Sequence, residues 1–397
     1  MQTAGVPAHL EVLRTRVLRF VEGEVYPVEH VLEVDDETAR RTLKGLQDKA
    51  KGEGLWALGH PSELGGGGLP FADYVFINEV QGRSEWAQQA LGTATLQDSL
   101  MLHRHAQGEV RDRFLGPLVR GEIYPSFAMT EPAVASSDPR QLETSATLDG
   151  DTWVISGRKW FTTYADRAAY TTVMCRTEAD ASGYGAFSMI VVPTDTPGYQ
   201  IVRDTPILGI LEGHCEVAYE DVRVPAENLI GERGAGFRIA QERLGPGRIF
   251  HAMRWLGQAQ RAFDLMCGRL HTRTAFGEQL ARKQLMQKHV FDSYAEIVAC
   301  RLATLHAADL IDRGEDARVA IGAIKVVGAE MLHNVIDRAV QVHGAAGLTD
   351  DTPLSRMYRL ARAARIYDGP DEVHVQSVAS RLLKEYEAGR SWDFACR

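Results

Sequence analysis

DTWVISG (Asp151–Gly157), YTTVMC (Tyr170–Cys175), FSMIVV (Phe187–Val192) and CEVAYEDVRV (Cys215–Val224) are short runs rich in β-branched and aromatic residues, with turn residues between them. No helical period intervenes, which argues against a parallel dinucleotide-binding sheet and for a small antiparallel barrel or sandwich. The texture differs on either side. From Ala8 to about Gly121, Leu10, Leu13, Val17, Phe20 and Val21 recur at threes and fours, as do runs around Tyr74–Val80 and Val110–Leu115. Beyond Gly236 the helical stretches lengthen, as at Leu285–Leu305 and Ala320–Val342, where Ile321, Ile324, Val327, Met331 and Val335 share one face of a bundle helix. Gly322 and Gly328, beside Ala323 and Ala329, suit close helix contacts or subunit association. The expected fold is α+β and multidomain: an N-terminal helical domain over 1–122, a central antiparallel β-barrel or sandwich over 123–233, and a C-terminal four-helix bundle over 234–397.

A chain of 397 residues with 45% hydrophobic and 24% charged residues has the composition of an ordinary globular protein with room for a sizeable cleft. A net charge of -9 supplies no global basic field, so nucleic acid is not an expected partner. The five cysteines, Cys175, Cys215, Cys267, Cys300 and Cys396, are odd in number and contain no CxxC pair, which fits a reducing compartment. Glu11, Arg14, Arg16 and Arg19 break the apolar positions near the start, unlike a secretory signal, and no apolar run is expected to span a membrane. The expected location is cytoplasmic. His103 and His105 are the only close histidine pair and read as surface residues, so no metal site is expected. No solenoid-period repeat is visible. Gly65–Gly68 lacks the Gly-Lys-Ser/Thr of a phosphate loop; it reads either as a flexible connection or as a substrate-lining loop.

Five segments carry candidate chemistry, each with a plain structural alternative. FAMTEPAVASSD (Phe127–Asp138) offers small polar residues that let a ligand approach the backbone, or an ordinary turn. GRKWFTT (Gly157–Thr163) puts aromatics beside hydroxyls, or simply contributes to a core. RTAFG (Arg273–Gly277), followed by Leu280 and Gln284, presents a guanidinium fork suited to phosphate, or a solvated arginine. QVHGAAG (Gln341–Gly347) ends a helix in small residues, as a ligand approach or a plain cap. YDGPDEVH (Tyr367–His374) places an aspartate in a Gly-Pro turn between helical stretches, where its carboxylate need not point to solvent, or is simply a good turn.

In their order and spacing, over roughly residues 10–385, these five segments resemble the acyl-CoA dehydrogenase family, with its AMTEP-type segment, K-x-W/F-x-T strand, R-x-x-F-G helix start, Q-x-x-G-G corner and Y-E-G turn. VASSD, DDTP (Asp350–Pro353) and DGPDEVH look closest to the branch containing human family members ten and eleven and many bacterial relatives. The resemblance implies a homodimer or homotetramer with FAD lying between the β domain and the bundle. Phe127, Met129, Thr130, Phe161, Thr162 and Thr163 would surround the flavin, and Ser137 would touch both cofactor and substrate. Arg273, Phe276, Gln284, Gln341, Gly344 and Ala345 match positions that reach the FAD of the adjacent subunit. Pro370, Asp371 and Glu372 match the stretch after the base, Arg248 a substrate-side arginine, and Gly369 a substrate contact.

The implied reaction is α,β-dehydrogenation of an acyl-CoA or acyl-carrier thioester. Asp368 would take the α proton, its backbone N–H would help stabilise the enolate, and the β hydrogen would leave as hydride to FAD. Electron-transferring flavoprotein would be the acceptor. Most of the family has glutamate at the position of Asp368, whose arm is shorter by one methylene, ~1.5 Å. Some members carry their base one residue before the position of Arg248, but Gly247 stands there. Gly245 replaces a substrate-binding aspartate of several members, and Ala345 the second corner glycine. Within the same fold, a nitroalkane-oxidase-like or acyl-CoA-oxidase-like activity is the alternative; a noncatalytic scaffold relative is another.

Overall fold

The computed structural model describes residues 5–34, 36–178, 181 and 183–394, so Cys396 lies outside the described residues. They form two compact units: Met1–Leu55, Leu69–Leu91 and Gly245–Arg397 in one, Trp56–Gly68 and Gly92–Leu244 in the other. The first 122 residues thus contribute to both units, because their helices bury against different cores.

In the sheet unit the strands are β1 (Pro125–Ala128), β2 (Ser145–Asp149), β3 (Thr152–Thr163), β4 (Tyr170–Arg176), β5 (Phe187–Pro193), β6 (Tyr199–Asp204), β7 (His214–Pro225) and β8 (Leu229–Ile230). They run in the order β6-β7-β3-β2-β4-β5-β8, with β1 added on β4. The pairings are antiparallel except β1 with β4 and the bridge of β2 to β4, which are parallel. The sheet is antiparallel as expected apart from these two pairings, where β1, entering from the helical segment before it, lies alongside β4 in the same direction. β4 and β5 are buried on both faces, which explains their continuous apolar runs. Alternate residues divide between two cores. Tyr170, Met174, Phe187, Met189 and Val191 meet Leu102, Phe114 and Leu118 of the helices Leu96–His105 and Gly108–Val119. Val173, Cys175, Ile190 and Val192 face inward with Trp153, Ile155, Val217 and Tyr219.

Gly65–Gly68 belongs to this unit and is not a free connection. The N–H groups of Gly66, Gly67 and Gly68 donate to the carbonyls of Pro61, Ala57 and His60 at 3.1, 3.0 and 2.9 Å. A Cβ on Gly66 would stand 2.4 Å from the His60 carbonyl oxygen, so only glycine lets these two strands of backbone meet.

The helical unit is built around helices Gly236–Thr272 (its part beyond Gly245), Gln284–Asp312, Arg318–His343 and Asp371–Glu387, with Glu11–Phe20, Glu37–Gly52, Phe71–Gln81 and Leu354–Ala363 beside them. The small residues of the Arg318–His343 helix are used as close contacts. A Cβ on Gly322 would be 2.7 Å from Val378 Cγ2, and one on Gly328 3.1 Å from the Trp255 ring. Contrary to expectation, the stretch Arg318–Leu348 is long and apolar enough to cross a membrane, but 56% of its most apolar window is buried inside the protein, as for a core helix.

The closest helix approach is at Gly257, whose added Cβ would lie 2.1 Å from the Glu79 carbonyl oxygen and 2.8 Å from the Arg83 nitrogen. Both neighbours are backbone and neither can swing aside, so Gly257→Ala is expected to destabilise this unit by about 2 kcal/mol or more. A lowered urea midpoint at unchanged slope would show it; an unchanged midpoint would contradict the packing described.

Candidate functional site

In the sheet unit, two of the sequence segments, Phe127–Asp138 and Gly157–Thr163, converge through backbone pairing and one buried ion pair. Lys159 on β3 is fully buried; its Nζ donates to Glu131 Oε1 at 2.8 Å and to the Met129 carbonyl at 2.9 Å. Glu131 also accepts from the backbone N–H groups of Glu143 and Thr144, at 2.7 and 2.9 Å. Burial alone would raise its pKa, but Lys159 and these donors more than compensate and hold the carboxyl below its usual range. The Trp160 N–H donates to the Thr130 carbonyl at 3.0 Å, and Ser126 Oγ to that of Thr163 at 2.6 Å. Phe127, Met129, Thr130, Phe161, Thr162 and Thr163 are thereby held in two adjacent segments, with the Arg243 guanidinium 4.5 Å over the Phe127 ring. Ser137 is exposed in the loop that follows.

β3 breaks its register with β7 between Lys159 and Thr162, and Phe161 takes a φ of 49° that is strained for an aromatic residue. Phe161 stays 40% exposed, while the buried Trp160 Nε1 and Thr162 Oγ1 find no hydrogen-bond partner among the described residues. An exposed ring beside orphaned buried polar atoms on a strained bulge suits a flat aromatic ligand with hydrogen-bonding edges, so these residues fit a flavin. Thr163 Oγ1 lies 2.9 Å from His214 Nδ1, in an environment where burial pushes the imidazole down to about 4.

In the helical unit, Asp368 sits between helices Leu354–Ala363 and Asp371–Glu387 at φ 55°, followed by Gly369 at φ 102°. Aspartate and asparagine tolerate this left-handed region better than glutamate does, since their short side chains bond locally. The Asp368 carbonyl accepts from Arg248 Nε and Nη2 at 3.1 and 3.0 Å and lies 3.1 Å from His374 Nε2. Arg248, expected toward substrate, thus clamps the backbone of this turn. A Cβ on Gly369 would stand 2.7 Å from His374 Nε2, so the clamp needs glycine there. The carboxylate faces His251, with Nε2 3.2 Å from Oδ2. Tyr367 receives the Trp255 Nε1 hydrogen bond at 2.8 Å, and buried Lys325 reaches the Ala364 carbonyl at 2.7 Å. Pro370 is the cap residue before the Asp371–Glu387 helix; Asp371 is buried and pairs with Arg365 at 2.6 Å, whereas Glu372 is exposed.

The remaining predicted residues lie elsewhere on this unit. Arg273 and Phe276 belong to a small hairpin, β9 (Thr274–Ala275) and β10 (Glu278–Gln279), where Phe276 is 98% exposed at φ 51°. Gln284 begins the helix after it, also exposed. Gln341, Gly344 and Ala345 are exposed where the Arg318–His343 helix ends. Among the described residues no cluster could hold a metal ion. His103 and His105 do have acidic neighbours, Glu63 at 3.7 Å and Glu242 at 2.8 Å. Sequence reasoning did not single out Lys159, Glu131, His214, His251, Arg254 or His374. The spacing of His251, Arg254 and Trp255, three and four residues apart on one helix, was the available signal for the Asp368 surroundings.

Burial pushes His60, His214 and His374 down to about 4. A folded value below the unfolded one means that the unfolded chain binds more protons between about pH 6.5 and 4. Their stability contribution is therefore complete above pH 6.5 and is lost as pH falls toward 4. At pH 5 the loss is about 1–2 kcal/mol per histidine, less for solvent-screened His374. The melting temperature is expected to drop between pH 7.5 and pH 5, with a smaller drop in His60→Gln; equal drops would contradict the assignment for His60.

Three family profiles match the chain: the N-terminal domain of acyl-CoA dehydrogenase over residues 7–122, the middle domain over 126–222, and the C-terminal domain over 234–383. The chain is 47% identical over 357 residues to "Probable acyl-CoA dehydrogenase FadE2" of Mycobacterium tuberculosis, covering 88% of this chain and 87% of that one. It is 38% identical over 396 residues to acyl-CoA dehydrogenase family member 11 of Rattus norvegicus, covering 94% of this chain but 50% of the relative. A solved structure from Mycobacterium abscessus, described as a candidate acyl-CoA dehydrogenase, superposes with a TM-score of 0.91 at 38% identity, over 96% of this chain and 100% of that one. On these matches, which follow the helical, sheet and helical regions in turn, the chain belongs to the acyl-CoA dehydrogenase family.

Proposed function

We propose that this chain catalyses FAD-dependent α,β-dehydrogenation of an acyl-CoA, or a related acyl thioester, to the trans-2-enoyl thioester. The observation that carries the reading is Asp368: a carboxylate on a left-handed turn whose carbonyl is clamped by Arg248 and faced by His374, and whose Oδ2 lies 3.2 Å from His251 Nε2. Asp368 accepts the α proton, and a geometry fixed by several partners is what proton transfer from a weak carbon acid requires. FAD, when bound, would supply the hydride acceptor for the β hydrogen.

Phe127, Met129, Thr130, Phe161, Thr162 and Thr163 would hold the flavin, a role supported by the strained bulge and its orphaned polar atoms; Ser137 would contact cofactor and substrate. Pro370, Asp371 and Glu372 would approach the cofactor, and Gly369, with Arg248 behind it, the substrate. Arg273, Phe276, Gln284, Gln341, Gly344 and Ala345 would serve the FAD of a second copy. The almost fully exposed Phe276 supports a homodimer or homotetramer, since such a ring costs apolar hydration until something covers it. Electron-transferring flavoprotein is the proposed acceptor. We also propose a cytoplasmic location, to which the free thiols of Cys175, Cys215, Cys267 and Cys300 are suited.

Anaerobic addition of a panel of acyl-CoAs to the FAD-loaded protein tests the reading. Bleaching of the flavin band, with slow reoxidation by oxygen, is expected; fast reoxidation would indicate an oxidase, and no bleaching by any acyl-CoA would overturn the substrate class.

A further inference from the structure

We propose that His251 is a positioning residue for Asp368, held by Arg254 as the tautomer that donates from Nε2 to the carboxylate. The inference rests on the reading of Asp368 as the base and adds how that base is aimed. Two contacts of one imidazole determine the assignment. Arg254 Nη2 lies 2.9 Å from His251 Nδ1, and a guanidinium can only donate, so Nδ1 must accept. The ring proton then resides on Nε2, which stands 3.2 Å from Asp368 Oδ2.

The ring is fixed by its neighbours. It stacks on Trp255 at 5.9 Å and packs against Tyr367 at 4.9 Å, while Trp255 and Tyr367 are themselves hydrogen bonded. The charged and titratable groups around it come from each packed element. Arg248 and Arg254 share its helix, Lys325 lies on Arg318–His343, His374 on Asp371–Glu387, Asp368 and Tyr367 on the turn, and Tyr74 on Phe71–Gln81 faces Arg254. Burial and the cations Arg254 and Lys325 keep the imidazole neutral, so it serves as a donor and not as a second charge.

A carboxylate on a short arm has little reach with which to correct an orientation error. A donor fixed at Oδ2 sets the plane of the carboxyl group, and misplacement of a reacting group by about 1 Å costs on the order of 10²-fold in rate. The same donor stabilises the ionised form, so removing it raises the proton affinity of Asp368.

The test has two parts. In the FAD-free protein with ¹⁵N-labelled histidine, the His251 ring should carry its proton on Nε2 near pH 7; a proton on Nδ1 would overturn the proposal without reference to catalysis. In the FAD-loaded protein, His251→Phe keeps an aromatic ring against Trp255 and Tyr367 but removes the donor. Its limiting rate of flavin reduction should fall about 10–100-fold, its substrate Kd should hold, and the acid limb of its pH profile should move to higher pH. His251→Gln, which can donate from nearly the same point, should recover much of the rate. A His251→Phe protein with the rate and pH profile of the native protein overturns the positioning role. An Asp368→Asn protein that still reduces its flavin would instead overturn the reading of the base itself.

Discussion

Replacing Asp368 by Asn is expected to lower the rate of flavin reduction by acyl-CoA by about 10²–10⁴-fold, the usual contribution of a positioned general base, while FAD content and melting temperature stay near native. Asparagine is the informative substitution because the residue has φ 55°, a conformation that Asn accepts and Ala does not. It preserves the carbonyl that Arg248 and His374 hold, and it can still meet His251. A loss of rate therefore reports the missing proton acceptor and not a collapsed turn. Asp368→Glu should also be slower, for a different reason: the longer arm must fit a turn and a histidine placed for the shorter one. Stopped-flow absorbance of the flavin band separates the two, since the Glu protein retains a base and hence a pH-dependent rate.

The buried pair of Glu131 and Lys159 governs the second large effect. Their side chains are 3% and 0% exposed, so Lys159→Met leaves a carboxylate inside the sheet unit with only backbone donors. Breaking such a pair costs about 3–5 kcal/mol, whereas removing both charges is far less costly. Lys159→Met should accordingly lower the denaturant midpoint strongly and weaken FAD retention, because the Met129 carbonyl also loses its donor. The Glu131→Gln, Lys159→Met double variant should regain much of the stability. If the single variant is as stable as the native protein, the pair does not organise these segments.

The helical, sheet and helical order was legible because burial imposes a period of 3.6 on helices and alternation on strands, and both survive in any one sequence. β4 and β5 are buried on both faces and so lack alternation, yet their β-branched content between turns still marked them. The five chemical segments were legible only together. Each is ambiguous alone, since Asp-Gly-Pro is also a turn and Arg273 also a surface residue.

What sequence did not supply was tertiary pairing. Nothing in Gly65–Gly68 states that the Pro61, Ala57 and His60 carbonyls receive its N–H groups, and the sequence reading, a flexible connection or a substrate-lining loop, did not include such a packed turn. Likewise Arg248 is 120 residues from the carbonyl it binds, and His251 nearly as far from Asp368. The apolar stretch Arg318–Leu348 was not legible as a continuous run because Lys325, Glu330, His333 and Asn334 interrupt its Val, Ile, Leu and Met residues, which still dominate the average.

The central claim is that Asp368 removes an α proton from an acyl thioester, and this can be measured apart from any redox step. The FAD-loaded protein is incubated in D₂O with an acyl-CoA analogue in which sulfur replaces the β carbon, so that no hydride can leave, and deuterium at the α carbon is followed by mass spectrometry. Exchange by the native protein, reduced about 10²-fold or more in Asp368→Asn, is the expected result. Equal exchange in the two proteins would contradict the account.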